Sequence, residues 1–217
     1  GDMGFLHSFT TGSAVDGPGV RVVAWTTGCM WRCRYCHNPD TWTLSNGMPV
    51  AVAKAAEELG KYRHGLKAMN GGFTLSGGEP LMQHRFAAKL TAASRAMGIH
   101  TAIETNGHYG DRLSEHQRAN TGPAPRRKKP PGPARAPTLP GPERLPTRRT
   151  PIWIRFVLVP GLTDDMADLA RTAAFAAGLG NVERVEVLPF HQMGRFKWAR
   201  LGLDYTLTST EPPTTDL

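Results

Sequence analysis

Along this 217-residue chain the apolar positions alternate between short continuous runs and helical spacings. Residues 20–26 are nearly unbroken in apolar character through Val22, Val23, Ala24 and Trp25, the pattern of a strand buried on both faces of a parallel sheet. Before it, residues 5–11 read as a short strand and residues 12–19 as a glycine-rich turn. Residues 50–62 place apolar side chains at helical spacing in Ala-, Glu- and Lys-rich text, which predicts a helix. A strand at 73–76, a helix at 81–97 and a strand at 99–105 follow, the last ending in Glu104-Thr105-Asn106-Gly107. The pattern then breaks and resumes late. Residues 152–159 predict a strong strand, Asp164-Asp165 opens a helix through about 177 with Asp165 placed for the helix dipole, and residues 183–188 predict a final strand. Alternating strands and helices predict an α/β fold with a parallel sheet, whose chemistry sits at the carboxyl ends of its strands.

The break is compositional. Of the 28 residues from 122 to 149, 21 are Pro, Arg, Ala or Gly, and none is Val, Ile, Phe, Tyr or Trp. Proline removes ladder donors, so the expectation is that no central strand forms here and that about 113–150 is a solvated, extended, disordered basic loop. Two explanations stand side by side: a basic linker, or a GC-rich gene read out of frame with the frame restored near Thr150-Pro151. The second accounts for the abrupt return of core-like text at Ile152-Trp153-Ile154-Arg155.

Composition changes the picture in two places. A hydrophobic fraction of 40% in a chain of this length fits one domain, here expected over 1–217 with the basic segment interrupting it. The formal charge of +8 invites a nucleic-acid reading, but residues 118–149 hold nine basic side chains and one acid, which accounts for all of it. The remainder is neutral, so specific nucleic-acid binding is not expected. No stretch approaches the ~18 apolar residues of a membrane helix, and no basic region followed by an apolar run opens the chain, which sets the expectation of a cytoplasmic, membrane-free protein.

All three cysteines lie in one loop, Cys29-x3-Cys33-x2-Cys36. An odd number in such close spacing does not build a disulfide framework. Structural zinc through Cys29, Cys33, Cys36 and His37 is the plain alternative, although zinc sites usually split their ligands into two separated pairs. Soft thiolates also suit an iron-sulfur cubane, in which three of them leave one iron open to a substrate. After the next core strand come Gly77-Gly78-Glu79, where glycines permit close backbone approach and Glu79 adds a charged acceptor; a tight turn alone would also explain the glycines. His191 follows the last predicted strand, where a lone histidine is more often a surface or packing residue.

The cysteine spacing, Thr27-Gly28-Cys29, the run Tyr35-Cys36-His37-Asn38-Pro39-Asp40-Thr41-Trp42, the run Thr74-Leu75-Ser76-Gly77-Gly78-Glu79-Pro80-Leu81 and Leu188-Pro189-Phe190-His191 together resemble the radical S-adenosylmethionine (SAM) enzymes, within them the activases of glycyl-radical enzymes. The resemblance spans about 5–112 and 151–213. It implies a partial (β/α)6 barrel, here with its fourth strand missing and the Pro/Arg-rich loop in its place. It implies a 4Fe-4S cluster on Cys29, Cys33 and Cys36, and SAM chelated to it, cleaved reductively to a radical that takes hydrogen from a glycine of a partner, pyruvate formate-lyase. By the same resemblance Tyr35, Cys36 and His37 lie along the adenine, Gly77, Gly78 and Glu79 take the amino group, and Thr105, Asn106, Arg155 and His191 complete the SAM pocket. A monovalent cation would sit at Glu104 and Thr105, but the family carries aspartate at the former and its Asp-x-Lys strand has no counterpart, so that cation is in doubt. A flavodoxin or ferredoxin-type electron donor and a monomeric state are the remaining expectations. An activase of another glycyl-radical enzyme, or a non-catalytic metal-binding or misfolded remnant, stays open as the alternative.

Overall fold

The computed structural model describes residues 2–109, 124–128 and 151–214. Its eight strands form two sheets. In the first, the order is β3 (Met48–Ala51), β1 (Met3–Ser13), β2 (Arg21–Thr26), β4 (Gly72–Gly77), β5 (His100–Ile103); β2, β4 and β5 run parallel, while β1 lies antiparallel to both of its neighbours. In the second, β6 (Ala124–Lys128), β7 (Ile152–Leu158) and β8 (Val182–Pro189) run parallel in that order. The facing edges, β5 and β6, approach within 8 Å at their Cα atoms without pairing.

The expected elements stand close to where the hydrophobic pattern puts them. In α1 (Val52–Gly60) the i, i+4 positions Ala55 and Leu59 are buried, and they face α3 (His84–Ala96), which buries Phe86, Ala87 and Leu90. A short α2 (Arg63–Ala68) and the strand β3 were not legible in the pattern. The ring of Phe86 explains why residue 4 is glycine, since a Cβ there would lie 2.3 Å from its Cγ. Further on, α4 (Met166–Gly178) starts at Asp165, whose carboxylate accepts the Asp168 N–H at 2.9 Å. A last short helix, α5 (Arg195–Arg200), was also not foreseen.

One expectation is corrected. Residues 124–128, inside the stretch from which no strand was expected, pair in parallel with β7, Ala124 opposite Ile152 through Lys128 opposite Phe156. Among the described residues β6 pairs on one side only, and an edge strand tolerates a proline because its missing donor need not leave a ladder bond empty. A five-residue parallel strand thus stands within the stretch expected to hold none. The disorder and the frame change expected for the rest of 113–150 fall outside the described residues.

Candidate active site

The carboxyl ends of β2, β4, β5, β7 and β8 open into one cavity of about 680 Å³, within the roughly 300–1,000 Å³ of small-molecule sites. The cysteine loop leaves β2 at Thr26, and its two ends are stitched together: Gly28 N–H donates to Thr41 O at 2.8 Å and Cys29 N–H to Trp42 O at 2.9 Å. Cys36 N–H donates to Cys33 O at 3.0 Å, closing a turn between the second and third cysteines. None of the three cysteines is in a disulfide, Cys29 and Cys33 being buried and Cys36 half-buried on the cavity wall.

Among the described residues no three His, Cys, Asp or Glu side chains converge as ligands of a single ion do. A cubane asks for something else, one thiolate for each of three irons at separate corners. Three thiols on one pinned loop fit that group by the chemistry of the donor set.

Tyr35, His37 and His191 line the same cavity, the two imidazoles edge to face with centroids 5.1 Å apart. Gly77 and Gly78 line it as well, but their missing Cβ atoms point into protein. A Cβ on Gly77, held at φ +113, would lie 2.2 Å from Thr26 O, and one on Gly78 would lie 2.5 Å from Gly28 O. The glycines are thus required where the end of β4 presses against the end of β2 and the cysteine loop.

Glu79 follows the glycine pair at the end of β4. It is fully buried and its carboxylate is occupied by the Leu81 N–H (3.0 Å), the Thr105 hydroxyl (2.7 Å) and the Asn106 N–H (2.7 Å). The carboxylate thereby holds Thr105 and Asn106 in position. A buried carboxylate needs such partners, and three N–H and O–H donors converge on it here. Asn106 Oδ1 accepts the His108 N–H at 2.9 Å, which fixes the orientation of the amide. Its Nδ2 is buried without a partner among the described residues, on the cavity wall.

Arg155 ties the two sheets together. From the middle of β7 its Nη1 donates to Glu104 and lies 3.8 Å from Asp16, while Nε donates to Glu186 at 3.0 Å. The Ser76 hydroxyl also donates to Glu104. The carboxylate that the resemblance sets at a cation site thus carries a guanidinium. Nη2 of Arg155 makes no hydrogen bond among the described residues. Asp16 and Glu186 are site residues that the sequence reading passed over. Asp16 had a legible signal, the Asp16-Gly17-Pro18-Gly19 turn feeding β2, whereas Glu186 on β8 had none.

Beneath Asp16 lies a fully buried Arg21. It donates to Thr74 Oγ1 (2.9 Å) and to the carbonyls of Pro18 and Phe73, and Thr74 in turn donates to Asp16 O at 2.7 Å. Burial pushes its pKa down to about 10, with Asp16 pulling the other way, so it stays charged at neutral pH. On the far rim, Lys197 of α5 reaches Asn38 Oδ1 at 2.8 Å and Asp40 at 3.2 Å, and His7 meets the same Asp40 at 3.3 Å.

Comparison with known proteins agrees with this architecture. Residues 15–121 match the family described as "4Fe-4S single cluster domain". The chain is 39% identical over 227 residues to the pyruvate formate-lyase-activating enzyme of Staphylococcus epidermidis and 36% identical over 233 residues to the pyruvate formate-lyase 1-activating enzyme of Escherichia coli K12, in each case over 97% of this chain and 90% of the relative. Among solved structures it resembles a domain of pyruvate-formate lyase-activating enzyme from Bacteroides vulgatus, with a TM-score of 0.50, 21% identity, and 67% of this chain and 87% of that one covered. QueE from Escherichia coli superposes with a TM-score of 0.55 at 12% identity, over 93% of this chain and 92% of that one, a likeness of fold. The cysteine loop, the cavity at the strand ends and relatives at this identity across almost the whole length lead to one conclusion: the chain belongs to the family of pyruvate formate-lyase-activating enzymes.

Proposed function

We propose that this chain activates pyruvate formate-lyase by installing a radical on a glycine of that protein, with a 4Fe-4S cluster on Cys29, Cys33 and Cys36 and SAM bound in the adjoining cavity. The observation that carries the reading is that three cysteines outside any disulfide lie on one pinned loop, the third of them on the wall of a cavity that also carries donors and flat rings suited to SAM. Bound there, the cluster supplies the single electron that cleaves SAM. The rest is the work of this chain's residues. Tyr35, His37 and His191 offer ring surfaces for the adenine. Arg155 Nη2 and Asn106 Nδ2 are two donors with nothing to bond among the described residues, suited to the carboxylate and hydroxyl oxygens of the ligand. Backbone carbonyls at Gly77 and Gly78 accept from its ammonium group. Glu79 positions Thr105 and Asn106 and adds its carboxylate's charge to the reception of that ammonium group.

The finer fold follows from the same reading: β2, β4, β5, β6, β7 and β8 are the six strands of one partial (β/α)6 barrel, a single domain open between β5 and β6. The electron comes from a flavodoxin or ferredoxin-type carrier, and the protein works as a cytoplasmic monomer. In support, no helix among the described residues is long and apolar enough to cross a membrane.

Anaerobic reconstitution tests the reading. The expected product is brown and holds about four iron per chain. Cys33→Ala should abolish iron binding and His37→Ala should retain it. Stoichiometric zinc, or two iron per chain, would overturn the assignment. With pyruvate formate-lyase, SAM and reductant, a glycyl-radical signal in electron paramagnetic resonance is expected, and its absence from a four-iron preparation would overturn the activity.

A further inference from the structure

Two indoles wrap the cysteine loop. Trp42 closes it, its carbonyl accepting from Cys29 N–H at 2.9 Å. The guanidinium of Arg32 lies over the Trp42 ring, 4.7 Å from its centroid, and Trp198 of α5 meets the same ring edge to face at 5.1 Å and 85°. Trp198 Nε1 in turn donates to Cys36 O at 2.9 Å. Tyr35, Cys36 and Trp42 all pack against the apolar cluster built on Val159, Phe190 and Trp198. One indole N–H of the pair is therefore spent on the backbone of a cysteine. The other, Trp42 Nε1, is buried without an acceptor among the described residues.

An unpaired buried donor costs about 1–3 kcal/mol, and indole nitrogen can only donate. Arg32 and Trp198 hold the ring, so it does not turn its N–H to water. No described residue accepts from it, and the loop that Trp42 closes is the one that carries the cysteines. Neutral sulfur is a poor acceptor, but the thiolates and sulfides of an iron-sulfur cluster carry negative charge, and hydrogen bonds to them are one of the protein's means of setting the reduction potential. The cationic Arg32 beside the ring acts in the same sense.

We propose that Trp42 Nε1 donates a hydrogen bond to a sulfur of the cluster held by Cys29, Cys33 and Cys36, and thereby raises its reduction potential. The donor stabilises the reduced cluster, which bears one more negative charge, above the oxidised one. This inference rests on the cluster assignment made above. Iron analysis separates the two: if the unsubstituted protein holds no cubane, both fall together. Given a cubane, Trp42→Phe keeps an aromatic ring between Arg32 and Trp198 and removes only the donor. Its midpoint potential is expected to move to more negative values, and its Fe–S stretching frequencies in resonance Raman are expected to shift. An unchanged potential and unchanged frequencies overturn the inference while leaving the cluster in place. Should Trp42→Phe lose iron, the unsubstituted protein carries the test. With indole-15N tryptophan, the reduced cluster should show in pulsed electron–nuclear double resonance both a 15N coupling and an exchangeable proton that D2O replaces. Absence of both overturns the proposal.

Discussion

At the scale of single residues, the site is made by side chains that hold one another as much as by those that face the cavity. Glu79 shows this, with Thr105 and Asn106 hung from its buried carboxylate. Arg21 shows it again through Thr74 and Asp16. His100 closes that second network with its Nδ1 3.0 Å from Arg21 Nη1, a contact that needs the neutral ring as acceptor. Burial, then Arg21, then Arg95, push its pKa below the ordinary 6.5. The unfolded chain therefore binds a proton that the folded chain refuses between those two pKa values, so the contribution is whole above pH 6.5 and is lost as pH falls toward the lowered value. Urea unfolding from pH 7.5 down to pH 5 should show stability falling with pH, and His100→Gln should flatten that part of the slope. Equal slopes in the two proteins would show that His100 is not the group that titrates.

At the scale of elements, termini and turns decide where the site residues arrive. Gly77 and Gly78 let β4 end flush against the cysteine loop, and Gln83 straps β1 to β2 by accepting from Phe5 N–H and donating to the carbonyls of Phe5 and Thr27. α4 leans on its cap, since it buries only Ala176 along its length. Asp165→Ala should lower the unfolding free energy by about 1 kcal/mol, the usual worth of an N-cap. Thermal or urea unfolding checks this, and a loss under a few tenths would mean that the helix is held by packing alone. Such cap and spacing signals are local, which is why this helix and the strand at residues 152–158 were legible in the chain. β3, α2 and α5 were not: each is four to six residues long, too short for a period to declare itself, and each is held by neighbours distant in sequence.

At the scale of the whole molecule, the two sheets meet through Arg155. Asp16 precedes β2, Glu104 follows β5 and Glu186 lies on β8, and one buried guanidinium serves all three. Removing one partner from a buried charge cluster costs about 3–5 kcal/mol, because the charges left behind stay unpaired. Arg155→Met should destabilise the protein by that order in urea unfolding. A loss under about 1 kcal/mol would show that the network does not join the halves.

The order of elements, the apolar core strands, the cysteine loop and the glycine pair were all determined by the chain itself, because period, spacing and residue type are local properties that survive without a fold. What each residue does was decided only in three dimensions. The sequence places Glu79 beside the glycines but not against the backbone of residues 81 and 106, and it places proline in residues 124–128 without showing that the strand lies at an edge where proline is tolerated. Nor does it show that Trp198 reaches Cys36 or that Asp16 and Glu186 share Arg155. Those pairings join residues scores of positions apart, and hydrogen bonds and buried charges are set by which groups packing brings within about 3 Å of each other, not by their distance along the chain.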